Sequence, residues 1–130
     1  FSVVDIDLST KTISYNADMK GGISLDEPIQ LRLIGQKDPG YKRMKSKGAA
    51  GVADYPRIMS IRTDRHYASG RFTWIVAHEH YHLWEINRDG ILGAIAWGFE
   101  YWLESRFGKH DSWPKEKRAN KYANDFYPYK

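Results

Sequence analysis

Apolar and polar residues alternate loosely along the first third of the chain. Val3, Val4, Ile6 and Leu8 run into polar Ser9, Thr10 and Lys11, and Thr12, Ile13, Ser14 and Tyr15 follow with partial alternation. Two short β-rich runs split by a polar turn predict a hairpin. After Gly21 and Gly22 come Ile23 and Leu25, then Ile29, Leu31, Leu33 and Ile34, a stretch whose period fits an extended segment or a short helix. The pattern then dissolves. Between residues 36 and 55, Lys37, Lys42, Arg43, Lys45 and Lys47 interleave with Pro39, Gly40, Gly48 and Gly51. That mixture predicts a long mobile loop, either a solvated surface or a flap facing an anion or a substrate. Residues 57–62 alternate again and predict a strand.

The second half carries a helical period. A first helix is predicted over residues 72–86, opening after Ser69-Gly70 and closing at Asn87-Arg88-Asp89-Gly90, where Gly90 suits a C-terminal cap. A second should span residues 91–107 and stop at Gly108. Asp111-Ser112-Trp113-Pro114 supplies a capping residue and a first-turn proline for a third, running to about residue 126 and ended by Pro128. The order is a small amino-terminal β-sheet followed by three helices, an α+β domain.

Composition narrows the class. The 130 residues make one domain, residues 1–130, and 42% hydrophobic with 15% aromatic content supplies ample core. The longest apolar stretch, Ile91 to Phe99, is broken by Gly93 and Gly98 and falls short of the roughly 18 residues a membrane span needs, so no membrane association is expected. A net charge of +4 favours acidic partners only weakly. It does not announce nucleic-acid binding, for which the Lys37–Lys47 region would be the one candidate. With no cysteine, any metal site must use His, Asp and Glu. The chain begins at Phe1 with no basic segment leading into an apolar one, which favours a cytoplasmic compartment and reads as a processed or trimmed piece. Trp74, Trp84, Trp97, Trp102 and Trp113, with Tyr81, Tyr101, Tyr122 and Tyr127, fall mostly at helical spacings and read as core and helix–helix contacts.

The chemistry sits in the first predicted helix. His78, Glu79 and His82 spell H-E-x-x-H. Residues four apart share a helix face, so the two imidazoles can converge on one metal ion. Zinc accepts neutral imidazole nitrogens, and catalytic zinc takes three protein ligands plus a water. Glu79, directly after the first ligand, reaches the zinc-bound water rather than the ion and serves as general base for peptide-bond hydrolysis. His80 points to the far side of the helix and reads as a hydrogen-bonded histidine at the edge of the core. His66 and His110 read as surface histidines, although either could line a cleft and stabilise an oxyanion, as could one tyrosine.

A third ligand is required. A metzincin-like continuation needs Gly at position 85 and His at position 88, where this chain has Glu85 and Arg88; Asp89, at the helix end, reads as a cap. The downstream carboxylates are Glu100, Glu104 and Glu116. Glu116-Lys117-Arg118-Ala119-Asn120-Lys121-Tyr122-Ala123 resembles the E-x-x-A-N-x-(aromatic)-A signature that follows H-E-x-x-H in zincin-type peptidases of the ImmA/IrrE group. The resemblance implies a minimal gluzincin-like fold with Glu116 as third zinc ligand and Ala119 letting its helix pack close to the first. Arg118 stands where the group carries a second acidic residue. A helix over residues 91–107 would span roughly 25 Å, enough for an antiparallel return to carry Glu116 back beside His82.

These expectations describe a small zinc metallopeptidase, a hydrolase acting on a peptide or protein substrate, with Zn2+ on His78, His82 and Glu116 and Glu79 as base. The strand over residues 57–62 would wall the cleft and receive an extended peptide by strand addition. The alternative is a non-catalytic binding or assembly module whose zinc ties the first helix to the third. A domain this small also fits inside a larger assembly, of a toxin-like or phage-encoded kind.

Overall fold

The computed structural model describes residues 2–19, 23–25 and 27–126. The expected hairpin is β1 (Ser2–Asp7) against β2 (Thr12–Asn16), with the Asp7 carboxylate accepting from the Ser9 backbone and hydroxyl across the turn. β3 (Asp18–Met19) and β4 (Ile23–Ser24) form a separate two-stranded ribbon. The ambiguous run is a strand, β5 (Ile29–Ile34), antiparallel to β2 and parallel to β7 (Ile58–Arg62). β6 (Gly51–Asp54) closes the sheet on the far side of β7, giving the order β1-β2-β5-β7-β6.

The long loop expected between residues 36 and 55 is not what forms. The segment folds as α1 (Tyr41–Ser46) followed by β6. Tyr41 and Met44, three residues apart on one helical face, bury against Ile34 and Val52, and the Tyr41 hydroxyl donates to Asp64 at 2.8 Å. Two apolar anchors amid the lysines are enough to dock the segment on the sheet.

Three long helices follow: α2 (Arg71–Asn87), α3 (Gly90–Glu104) and α4 (Pro114–Phe126). Gly90 is the first residue of α3 with φ +73°, rather than a cap on α2. Its left-handed backbone, one that side chains other than glycine rarely adopt, makes the tight reversal between the two helices. α2 lies across the sheet, where Ile75 and Leu83 join Tyr15, Ile29, Leu31, Met59 and Ile61 in the main core. Ala77, Ala119 and Ala123 have no exposed surface, so α4 approaches α2 closely. The aromatic residues make the expected helix–helix contacts, Tyr81 of α2 against Tyr122 of α4 and Trp97 of α3 against His82 of α2, but fewer of them are core than expected. Tyr122 is buried, but no residue of α3 is, and Trp102 stays 52% exposed. Tyr127 and Pro128 lie outside the described residues. No helix among the described residues is long and apolar enough to cross a membrane.

The strand over residues 57–62 does not wall the cleft in the expected way. β7 is paired on both sides, by β5 and β6, so it has no edge to offer. The outermost strand beside α2 is β6, whose Gly51 lies against Ile75 and Glu79.

Candidate metal centre

α2 turns one face to the sheet and another toward α3 and α4. His78, Glu79 and His82 are all buried on it, and ligand atoms of the three lie within 4.8 Å of one another. The Nε2 atoms of His78 and His82, one turn apart, are separated by 3.1 Å. Aromatic rings brace both imidazoles: Trp74 stacks on His78 at 5.2 Å, and Trp97 meets His82 edge-on at 5.5 Å.

Glu116 enters from α4, in the first turn after Pro114. Its Oε1 lies 2.9 Å from His78 Nε2 and its Oε2 3.0 Å from His82 Nε2. The small residues Ala77, Ala119 and Ala123 permit this, since larger side chains would hold the helices apart. The donor set is two imidazole nitrogens and a carboxylate, the His2Glu set of catalytic zinc sites. Ligands about 2.0 Å from a tetrahedral ion stand about 3.3 Å apart, so the 3.1 Å between the two Nε2 atoms, and the 2.9 and 3.0 Å by which each meets a different Glu116 oxygen, leave the carboxylate to open and turn one oxygen, or both, to an ion. The Nδ1 atoms of both histidines are buried with no hydrogen-bond partner among the described residues. The polar chemistry of both rings is thus directed at one point, through Nε2. These residues fit a divalent metal ion of the kind that imidazole and carboxylate ligands hold, zinc among them.

The electrostatics agree with a cation there. Burial pushes the Glu79 carboxyl above its ordinary pKa, against the pull of His78 and His82. Burial would likewise raise Glu116, but the hydrogen bonds from His78 and His82 outweigh it and hold that carboxyl well below the usual range. Burial disfavours charge on His82, yet the hydrogen bond to Glu116 and the charges of Glu79, Glu116 and Glu85 raise its pKa. Two buried carboxylates facing two imidazoles favour positive charge between them.

The competing carboxylates are engaged elsewhere. Glu104 accepts from the Lys115 backbone at 2.9 Å and from its ammonium at 3.0 Å, fastening the start of α4 to α3. Glu100 lies 3.5 Å from the same ammonium with its side chain 61% exposed. Glu85 accepts from Arg118 at 2.8 Å and from Trp97 at 3.3 Å, so Arg118 lashes α4 to α2. Asp89 sits at the N-cap of α3 without a side-chain capping bond. His80 is fully buried, not at the core edge, and His66 is exposed.

Three further residues belong to the site. The Tyr101 hydroxyl donates to Glu116 Oε2 at 2.9 Å, and burial together with Glu116 raises its pKa, keeping it protonated. His110, read from sequence as a surface histidine that could also line a cleft, is both: its side chain stays 58% exposed, and from a 3-10 turn at residues His110–Ser112 its Nε2 lies 3.5 Å from Glu116 Oε1. Gly51 of β6 lies so close that a Cβ there would stand 3.0 Å from Glu79 Oε2 and 2.8 Å from Ile75 Cγ2. Gly51, Trp74, Trp97, Tyr101, His110 and Trp113 line a cleft of about 990 Å3 above the cluster. Nothing local in the sequence selects His110 over His66, or Tyr101 among the tyrosines, because each arrives by a helix reversal.

Comparison of the chain with known protein families, curated proteins and solved structures finds no match.

Proposed function

We propose that this protein is a zinc-dependent metallopeptidase of minimal zincin type. The observation that carries the reading is the convergence of His78 Nε2, His82 Nε2 and the Glu116 carboxylate within 2.9–3.1 Å, with buried Glu79 beside them at the floor of a cleft. Bound there, zinc would supply Lewis acidity toward the scissile carbonyl and toward water.

The chain's own residues do the rest. Glu79, its basicity strengthened by burial, accepts a proton from the attacking water and delivers it to the leaving amine. His110, on the α3 and α4 side of the cleft, and Tyr101, once its single proton leaves Glu116 Oε2, are the donors suited to the developing oxyanion. A substrate in extended form would pair with β6, the outermost strand, which borders Glu79.

The same ligands join α2 to α4, which favours a second reading, a zinc clip in a binding or assembly module. Glu79→Gln separates the two. For the peptidase, cleavage of a peptide library by zinc-loaded protein falls by about 10²–10⁴-fold while bound zinc is unchanged. A clip predicts no cleavage by wild type and the same zinc-dependent stability in both proteins.

A further inference from the structure

α3 presents a face that helices normally bury. Ile91, Leu92, Ile95, Phe99, Trp102 and Leu103 fall within an arc of about 120° at 100° per residue. Their exposures run from 40% to 78%, and nothing among the described residues covers them. The opposite face carries Trp97 and Tyr101 into the cleft, and of the stripe only Trp102 reaches its rim, so most of the stripe lies away from the chemistry. The 3-4-3 spacing of Leu92, Ile95, Phe99 and Trp102 is that of a helix–helix seam.

We infer that this stripe is the contact between two copies of the chain, paired antiparallel along α3. Area is the first argument. With aromatic side chains at about 150–250 Å2 and aliphatic ones somewhat less, the six exposures leave on the order of 800 Å2 uncovered. That exceeds the patches of roughly 300–600 Å2 found on monomers and equals the ~800 Å2 each partner gives to a standard interface. Charge is the second. The stripe contains no ionised side chain, so identical faces meet without repulsion. Asp89, 3.4 Å from the Arg88 guanidinium in its own chain and free to exchange that exposed partner, stands just before α3, and Arg106 stands just after it, stacked over Trp102 at 5.0 Å. They are nearly equidistant from the helix centre, so a two-fold antiparallel pairing sets Asp89 of each copy against Arg106 of the other. Parallel pairing would instead oppose like charges. An anionic bilayer is the poorer occupant, because Asp89 and the exposed Glu100 flank the stripe.

Light scattering on the full chain in the micromolar range tests this. The expected mass is twice 15.1 kDa for wild type and the monomer mass for Ile95→Glu, with unchanged circular dichroism, since Ile95 is 65% exposed in the single chain. Arg106→Glu should weaken the dimer several-fold, and Asp89→Lys combined with it should restore association. A wild-type monomer across that range overturns the inference. So does a dimer that Ile95→Glu leaves intact, or a monomer that binds vesicles of anionic lipid through the stripe.

Discussion

Tyr101 illustrates how one hydroxyl can hold a ligand before the reaction and turn to the oxyanion during it, since its single proton serves one acceptor at a time. It donates to Glu116 Oε2 and stays protonated because burial and the neighbouring carboxylate raise its pKa. Tyr101→Phe should lower kcat by about 10–100-fold with zinc still bound, as expected when a donor that passes from ligand to oxyanion is removed. Steady-state kinetics beside elemental analysis would show it, and full activity would make Tyr101 structural only. Away from the site, Asp64 gives a pH prediction. Hydrogen bonds from Arg62, opposed by burial and aided by Tyr41, hold its carboxyl at about 2 against an ordinary 3.8. A carboxyl depressed by folding adds stability that is fully present above its unfolded pKa and disappears as pH falls through the folded one. Between about pH 4 and pH 2, metal-free wild type should therefore lose melting temperature more steeply than Asp64→Asn. Equal slopes would remove the Arg62–Asp64 pair from the account.

At the scale of elements, β6 is the piece the site depends on that sequence reading did not supply. It borders Glu79 only because Gly51 has no Cβ. Gly51→Ala should destabilise the fold by about 1–3 kcal/mol through overpacking and depress turnover by displacing Glu79. Zinc content should hold, because the nearest atoms to the added methyl belong to Ile75 and Glu79, not to the three ligands. Denaturant melts and zinc assays on one preparation would test both halves. The reason β6 was missed is physical. Gly51-Val52-Ala53-Asp54 is too short to show a period, and its strand character comes from pairing with β7. α1 was hidden in the same way, its burial resting on Tyr41 and Met44 alone among lysines. By contrast, the hairpin, β7 and the three long helices announce themselves by period and by Pro114, although α3 ends at Glu104, short of the stop expected at Gly108. His78, Glu79 and His82 were legible because a four-residue spacing is a local rule. His110 was legible only as one of two candidates and Tyr101 only as one tyrosine among several, because their place beside Glu116 is set by how α3 and α4 reverse.

At the scale of the whole molecule, two buried histidines on α2 and a buried glutamate on α4 make metal binding and tertiary stability one question. An ion bound only by the folded chain stabilises it by mass action. Chelation should lower the melting temperature reversibly, and zinc should restore it. Titration of zinc into metal-free protein, with elemental analysis of wild type, His78→Ala, Glu116→Ala, Glu100→Ala and Glu79→Gln, tests the central claim most directly. The account predicts one tightly held zinc per chain in wild type, Glu100→Ala and Glu79→Gln, and a large loss of affinity in His78→Ala and Glu116→Ala. Wild type that takes up less than about half an equivalent would contradict it, as would affinity lost in Glu100→Ala but kept in Glu116→Ala.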